Sequence, residues 1–554
     1  MVLGVGLGLR VLLFLGGYSL GLDEARLALN IASRPYDHLL SPLDLDQSAP
    51  LLFLWLERLS VQLFGVNEFA LRVIPLAAGL GNVLLAFLVF RRLLDARGAL
   101  LGTGMVAFAP ILVHYSGEVK QYSSEALATL IILGVTLSWL EAPSNGARLR
   151  LLSAGAIAVW ISAPAVFILA GAMGALLFAS LRGDSRSRRV LAEATMLWGC
   201  SFWLAYLLVY RNAAASPYMR RFWAPAFLSP DGLDSLPQIW RAVRDVLWAL
   251  LMGNEPIVRS EVAALGLDGV AVLLLVLATC GAWRMLRLHG AERFLLITVA
   301  LLAALAAGAI GKYPIAPRVM IFAAPLLTLL IAGGVEMILL ARSGVWGVAG
   351  WWLSGALLLT RPLLGAGLEG VLLDPGGHLR PVIEQLRRQR QPADAVYVFA
   401  GSIPAWAFYS TDWSAPDTVR LAFLIRVARA GGPAFENAPS RGREMSTSEG
   451  AGLAYSTAAG TELLGVPTGM EYRPVVGVEQ QAPDPGWAAH EAARIAAVPA
   501  PGVWILMSEY YGPERNLLSE VEKLGGNCTF SLEGVGTRLS RFEFHRAEHG
   551  ASGS

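Results

Sequence analysis

The sequence predicts a polytopic α-helical membrane protein with a soluble α/β domain at its carboxyl end. Of its 554 residues, 55% are hydrophobic and only 16% are charged, and the mean hydropathy is +0.53. Apolar runs of about 18 residues or more, the length that spans a bilayer, recur along the first part of the chain. Soluble proteins do not carry so many such runs, so this part of the chain is expected to lie in a membrane.

About eleven apolar runs are counted as spans, and short arginine clusters separate several of them. Arg91, Arg92 and Arg97 follow the second run, and similar clusters follow the sixth, eighth and tenth. If these clusters face the cytoplasm, the positive-inside rule agrees with the span count, with the amino terminus inside and the carboxyl terminus outside. The predicted spans lie at about residues 2–22, 69–90, 98–116, 122–140, 150–162, 164–181, 190–210, 262–283, 294–311, 319–341 and 344–364.

Two observations weigh against parts of this topology. Arg220, Arg221, Arg241 and Arg244 would lie outside, but they belong to a connection of roughly fifty residues, where charge bias guides orientation less strongly. A cleaved signal peptide is the alternative for the first run, because Arg10 precedes an apolar stretch. No small-residue cleavage site follows, so we keep the run as a span.

From about residue 377 the composition becomes charged, and short apolar segments alternate with polar amphipathic ones. Residues 396–400, 503–507 and 537–544 are predicted strands, while 381–390 and 514–524 are predicted helices. We therefore expect a transmembrane domain at 1–370, with outer interfacial helices at about 23–64. An extracytoplasmic α/β domain should occupy residues 377–554.

Composition and motif spacing exclude several classes of function. The formal net charge is +2, and the arginines are dispersed in small clusters, so no basic face for nucleic acid is expected. The three cysteines give no disulfide framework. No metal-ligand spacing, glycine-rich phosphate loop or nucleophile elbow is present, so no cofactor is predicted. An acidic pair such as Asp23 and Glu24 is the one feature that would recruit a divalent ion.

Charged residues cluster at the predicted outer ends of spans, where ionisable groups are costly. Asp23 and Glu24 follow the first span, and Glu118, Lys120 and Tyr122 lie between the third and fourth. For Asp23 the alternative role is an N-terminal cap of the helix predicted at 23–33, which aspartate performs well. These clusters are the best candidates for chemistry in the chain.

The chain has only three lysines, and two of them, Lys120 and Lys312, lie at outer span ends. Either lysine alone is explained by snorkelling towards phospholipid head groups. However, Glu118 and Tyr122 accompany Lys120, and Arg318 follows Lys312 in a segment with two helix-breaking prolines. Such a set of cations is suited to hold a phosphate by charge-assisted hydrogen bonds.

The order of these motifs resembles the bacterial members of the protein-mannosyltransferase-like glycosyltransferases, a GT-C group that includes the aminoarabinose transferases of lipid A. The resemblance covers residues 1 to 140 well and is weaker from Lys312 to Pro325. Gly117 departs from it, because many relatives carry arginine there. The motifs are Asp23-Glu24, Pro50, Phe64-Gly65-x-x-Glu68-Phe69-Ala70-Leu71-Arg72 and Tyr115-Ser116-x-Glu118-x-Lys120-x-Tyr122.

This resemblance implies a GT-C fold in a bacterial cytoplasmic membrane and transfer of a sugar from a polyprenyl phosphate, in bacteria undecaprenyl phosphate. The acceptor would be a lipid, a glycan or a protein on the outer side. Asp23 would be the general base, with Glu24 as the substitute candidate. Lys120, Lys312 and Arg318 would stabilise the departing phosphate.

The remaining site residues have less defined roles under the same resemblance. Glu118 would orient Lys120 or contact the sugar, and Tyr122 would contribute to donor binding. Glu68 and Arg72, four residues apart on one helix, are expected to form a structural pair. Direct displacement at the anomeric carbon would invert its configuration.

Two other classes of function compete with a glycosyltransferase. In a transporter or flippase of lipid-linked sugars, the same charges would mark a pathway, but such carriers normally place polar groups near the midplane and consist of related halves. A membrane-anchored sensor is the third class, and eleven spans are excessive for an anchor.

Overall fold

The computed structural model describes most of the chain, and the statements below concern these residues only. They are residues 1–228, 236–253, 261–340, 345–367, 379–418, 421–422, 424–426, 434–436, 438–439, 455–456, 461–463, 487–508, 516–534 and 536–544. The chain forms two compact units. The first comprises Met1–Gly17, Arg34–Pro42 and Ser48–Pro375, and the second comprises Tyr18–Ser33, Leu43–Gln47 and Gly376–Ser554.

Helices account for most of the first unit. In chain order, the α-helices of the described residues are α1 Val2–Leu15, α2 Leu22–Ser33, α3 Leu51–Phe64, α4 Glu68–Phe90, α5 Ala96–Phe108, α6 Pro110–His114, α7 Tyr122–Glu141, α8 Asn145–Ile161, α9 Ala165–Leu181, α10 Ser185–Ala205, α11 Arg211–Ala215, α12 Pro217–Trp223, α13 Leu236–Met252, α14 Glu261–His289, α15 Ala291–Ala309, α16 Ala324–Leu340, α17 Val345–Leu364, α18 Leu379–Gln389, α19 Ile403–Ser410, α20 Trp487–Ala497 and α21 Leu517–Lys523. Of these, α2 and α18–α21 belong to the second unit.

The structure confirms a polytopic helical membrane protein. Within the described residues, six helical segments are long and apolar enough to cross a membrane, and α1 and α9 are shorter apolar helices. The predicted number of about eleven full-length spans is therefore not reached by these segments. The six segments are Glu68–Phe90, Tyr122–Glu141, Ser185–Ala215, Asp268–His289, Ala291–Ala309 and Ile321–Leu339.

The predicted span at 98–116 is wrong in one respect, because the helix breaks between α5 and α6. Proline has no backbone N–H, so Pro110 cannot donate to the carbonyl of Val106. The buried side chain of Arg10 on α1 replaces that donor: its guanidinium donates to the carbonyls of Ala107 at 2.8 Å, Val106 at 3.1 Å and Gly6 at 2.9 Å. Arg10 thus stabilises the end of α5.

The second unit contains a mixed five-stranded sheet of order β2-β1-β6-β8-β7 and a small sheet of order β3-β5-β4. β1 and β6 are parallel, and the other pairs of the larger sheet are antiparallel. The predicted strands at 396–400, 503–507 and 537–544 correspond to β1, β6 and β8. The strands are β1 Ala395–Val398, β2 Ala434–Glu436, β3 Ala438–Pro439, β4 Tyr455–Ser456, β5 Thr461–Leu463, β6 Val503–Ser508, β7 Gly526–Gly534 and β8 Thr537–Phe544.

A buried carboxylate connects three strands of the larger sheet. Asp394, just before β1, accepts hydrogen bonds from the indole of Trp504 on β6 at 2.9 Å and from the guanidinium of Arg541 on β8 at 3.0 Å. A buried charge is stable only when it is paired and hydrogen-bonded, as here. The sequence-distant helix α2 belongs to the same unit and packs against α19.

Candidate functional site

The acidic pair lies in the first turn of α2, and its two members are not equivalent. The carbonyl of Gly21 accepts the first helical hydrogen bond, from the Ala25 N–H at 2.8 Å, so Gly21 is the N-cap. Glu24 is buried and its Oε2 accepts from the Gly21 N–H at 3.0 Å. This is the reciprocal half of a capping box, in which the third helical residue reaches back to the cap.

The start of α2 bears on the capping alternative for Asp23. Asp23 is the second residue of α2 and not its cap, so the capping alternative is wrong for Asp23 and describes Glu24 instead. The Asp23 side chain is half-buried at the positive end of the helix. The structure thus distinguishes a carboxylate engaged in capping from a neighbour that the cap does not require.

The second group of candidates lies in the first unit, in the segment that connects α6 to α7. His114 ends α6, and its Nε2 lies 2.7 Å from Oε1 of Glu118. The backbone N–H of Lys120 donates to the Glu118 carbonyl at 2.7 Å. Lys120 is 8% exposed. We call these three residues, together with Arg72, which acts electrostatically on Glu118, and Tyr122 at the start of α7, the junction cluster.

Electrostatic interactions connect the junction cluster with α4. Burial opposes ionisation of Glu118, but His114, Lys120 and Arg72 together outweigh it and hold the pKa of Glu118 below its usual range. Arg72 is itself buried, in the first turns of α4. A carboxylate that stays ionised attracts the basic groups around it, and His114 lies in direct contact with it.

Sequence reasoning missed two members of this cluster. His114 fell inside the predicted span at 98–116, and only the break at Pro110 brings it to the end of a helix. Arg72 was expected to pair with Glu68, because they are four residues apart; the structure adds an interaction of Arg72 with Glu118. The sequence signal that could have identified Arg72 was the rarity of arginine so close to an apolar run.

Electrostatic interactions relate the start of α7 to Tyr313, in the loop that carries Lys312 and Arg318. The rings of Tyr115 and Tyr122 meet edge to face at 4.7 Å. Burial raises the pKa of Tyr313 well above its usual value, and the nearby Glu125 and Tyr122 raise it further. Tyr313 therefore lies next to the start of α7, which carries Tyr122.

The two predicted cations of that loop have different surroundings. The guanidinium of Arg318 stacks on the rings of Phe222 at 5.2 Å and Trp223 at 4.7 Å, a cation–π arrangement. Lys312 is exposed, and its backbone N–H donates to the Ala307 carbonyl at 2.8 Å. Of the predicted phosphate ligands, Lys120 alone is a member of the junction cluster.

The structure gives a steric reason for the glycine at position 117. A Cβ at this position would lie 2.6 Å from Cδ2 of Leu13 on α1, closer than two carbon atoms approach. A larger side chain at position 117 would therefore require Leu13 to shift. Arg72 and Lys120 are the cations that approach Glu118 instead.

Within the residues that the structure describes, no group of three or more His, Cys, Asp or Glu is arranged to hold a metal ion. The candidate residues are divided between the two units. The junction cluster, Lys312 and Arg318 lie in the first, whereas Asp23 and Glu24 lie in the second.

Comparison with known protein families gives one decisive match. Residues 48–210 match the family described as dolichyl-phosphate-mannose-protein mannosyltransferase. Over this segment the chain is similar to the protein-mannosyltransferase-like glycosyltransferases. The matched segment contains α3 to α10 and with them the whole junction cluster. The family resemblance predicted from the sequence motifs is confirmed.

Two solved structures give backbone matches at low sequence identity. ArnT from Cupriavidus metallidurans bound to undecaprenyl phosphate is 12% identical, with a TM-score of 0.49 over 98% of this chain and 97% of that chain. The Archaeoglobus fulgidus oligosaccharyltransferase in complex with Zn and sulfate is 15% identical, with a TM-score of 0.46 over 70% of this chain and 55% of that one. Because both TM-scores are below 0.5, no residue role in this chain is inferred from those proteins. A search of the curated proteins gives no match.

Proposed function

We propose that this glycosyltransferase transfers a sugar from a polyprenyl-phosphate carrier to an acceptor on the outer side of a bacterial cytoplasmic membrane. The observation that carries the proposal is the junction cluster. Arg72, His114 and Lys120 all act on the ionised Glu118, inside the segment that matches the mannosyltransferase family. Basic groups held in this way can receive a phosphate without rearranging.

The proposed donor is a sugar joined through its anomeric carbon to a polyprenyl phosphate, with undecaprenyl phosphate as the bacterial carrier. An acceptor hydroxyl attacks the anomeric carbon while the bond to the phosphate oxygen breaks. The leaving polyprenyl phosphate gains negative charge, which Lys120 and Arg72 stabilise by charge-assisted hydrogen bonds. Lys312 and Arg318 are proposed as further donor contacts, since Tyr313 between them lies next to α7.

The proton of the attacking hydroxyl requires a base, and we assign that role to Asp23. The support is that the two carboxylates in the first turn of α2 differ in their contacts: Glu24 caps the helix through its hydrogen bond with Gly21. Glu24 is engaged in the cap of α2, whereas Asp23 is not the N-cap residue of that helix. Attack opposite to the leaving phosphate inverts the anomeric configuration, and no metal ion is needed in this scheme.

Orientation in the membrane follows from charge. Arginine clusters such as Arg182 and Arg186 to Arg189 follow or begin apolar helices, as expected for cytoplasmic loops. With these clusters inside, the carboxyl-terminal domain is extracytoplasmic, where lipid, glycan or protein acceptors are available.

The experiment uses a panel of undecaprenyl-phosphate sugars labelled in the sugar and an envelope fraction from a deletion strain as the acceptor source. Purified protein is expected to move the label from carrier to acceptor and to release one undecaprenyl phosphate for each sugar transferred. Asp23→Asn should lower turnover about 10²- to 10⁴-fold, the usual contribution of a general base, with little change in donor KM.

Glu24→Gln is the matched control, because glutamine also serves at the third position of a capping box, so turnover should be retained. If Glu24→Gln loses turnover and Asp23→Asn keeps it, the base is Glu24. If both variants stay active, the acidic pair is not the reaction centre. Movement of intact labelled carrier across liposomes without loss of its sugar would instead identify a flippase.

A further inference from the structure

The carboxyl-terminal part of the chain has no role in the reaction described so far, yet it belongs to the same compact unit as the acidic pair. Residues 18–33 and the chain from 376 onward are separated by more than three hundred residues in sequence but form one unit. Within it, α2 packs against α19. One face of α2 is apolar and fully buried, with Ala25, Ala28 and Ile31 at 0% exposure.

Two hydrogen bonds fix the chain immediately before α2. The backbone N–H of Leu20 donates to the hydroxyl oxygen of Tyr409 on α19 at 2.7 Å. The hydroxyl oxygen of Ser19 accepts from the backbone N–H of Arg380 in the first turn of α18 at 3.1 Å. The first N–H groups of a helix have no partner within the helix. Ser19 supplies an acceptor for one of them at the start of α18, and the same bond holds Ser19 in place.

Tyr409 is well placed for this role, because its own position is fixed from two sides. Its carbonyl accepts from the guanidinium of Arg387 on α18 at 2.6 Å, and its ring meets the ring of Phe408 edge to face at 5.3 Å. Leu20 is 2% exposed, so water does not readily replace the phenol as the acceptor for its N–H.

The far half of α2 is held as well. The Asn30 side chain donates to the Asp44 carbonyl at 3.1 Å and accepts from the Asp44 N–H at 2.8 Å. With contacts before its first turn and along its length, α2 has little freedom to shift. Asp23 lies three residues after Leu20, so the bond to Tyr409 holds the backbone just before the turn that carries Asp23.

We propose that the carboxyl-terminal domain positions the general base, and that Tyr409 is the positioning residue, acting through Leu20 on Asp23. This inference rests on the proposed function, in which Asp23 is the base. A displacement of about 1 Å in a reacting group can lower turnover about 10²-fold, so a single lost bond at this point has a measurable effect.

The test is Tyr409→Phe in the full-length protein, which removes the hydroxyl and keeps the ring. We expect kcat to fall about 10- to 100-fold, with donor KM within about twofold because the junction cluster is untouched. The matched control is Tyr397→Phe: this buried tyrosine lies on β1 of the same unit and donates to Glu491 on α20 at 3.1 Å. Its kcat should stay near that of the unaltered protein.

The decisive comparison is made in the Asp23→Asn background. If Tyr409 acts through Asp23, adding Tyr409→Phe should cause no further loss of kcat, since the group it positions is already gone. Equal losses in Tyr409→Phe and Tyr397→Phe, no loss in Tyr409→Phe, or fully additive losses with Asp23→Asn would each overturn the proposal. A normal kcat in Asp23→Asn would instead refute the assignment of the base, a result visible before Tyr409 is tested.

Discussion

Arg10 provides the most direct test of how the helix break before the junction cluster is maintained. Arg10→Met keeps an apolar stem of similar length but removes the guanidinium that donates to Val106 and Ala107. Each buried carbonyl that loses its donor costs about 1 to 3 kcal/mol. Removing a buried cation returns part of this cost, so we expect a net loss of about 2 kcal/mol.

The same geometry predicts a specific rescue. Pro110→Ala restores an N–H four residues after Val106, which can donate to the carbonyl that Arg10 otherwise serves. In the Arg10→Met background, Pro110→Ala should therefore recover about 1 kcal/mol, while the two changes together should be clearly non-additive. The measurement is thermal unfolding of the purified variants in one detergent, arranged as a double-mutant cycle.

Arg91→Met is the matched control, because Arg91 is exposed and its guanidinium lies 5.3 Å from the ring of Phe87. Such a contact contributes about 0.5 to 1 kcal/mol at an exposed site. If Arg10→Met is no more destabilising than Arg91→Met, or if Pro110→Ala adds independently, Arg10 does not replace the donor that Pro110 lacks.

Two further predictions concern carboxyl and amine groups of the first unit. Lys120→Ala should raise donor KM about 10- to 100-fold, as expected for loss of a charge-assisted bond, and exposed Lys312→Ala should raise it less; equal effects in donor-dependent kinetics would contradict this. Glu57 on α3 is fully buried, neither carboxyl oxygen has a recorded hydrogen-bond partner among the described residues, and burial raises its pKa well above the usual value. Because the folded pKa is the higher one, Glu57 favours folding below its unfolded pKa of about 4.3 and loses that effect as pH rises. Thermal stability should therefore fall as pH rises, Glu57→Gln should flatten the fall, and Glu522→Gln on α21 should leave it unchanged.

Local signals were enough to predict the elements that carry the candidate residues. The helices at 23–33 and 50–64 and the strands at 503–507 and 537–544 appear within one or two residues of their predicted bounds. The polytopic class was also evident, because it depends on composition and run length alone. Hydropathy registers apolar length and does not register breaks such as the one at Pro110, so it predicted more full-length spans than the six found among the described residues.

Contacts between residues that are distant in the chain could not be predicted from the sequence. No local pattern connects Leu20 with Tyr409, although that bond joins α2 to the carboxyl-terminal domain. Likewise, Arg72 has an obvious neighbour in Glu68 at helical spacing, and nothing in the sequence indicates Glu118 as a second one. Motif order predicted the family resemblance, while the capping role of Glu24 is visible only in its bond with Gly21.

The non-helical connection between α6 and α7 explains why the charged residues lie where they do. At the border of a membrane, irregular backbone persists only where its polar groups find partners within the protein. Here the Gly117 N–H donates to the His114 carbonyl at 2.9 Å, the Ser116 hydroxyl to the Val113 carbonyl at 2.5 Å, and the Lys120 N–H to the Glu118 carbonyl at 2.7 Å. These three bonds lie within the connection itself and hold its turns in place. In the proposed reaction, the side chains of His114 and Glu118 act on each other and Lys120 acts on the phosphate of the donor.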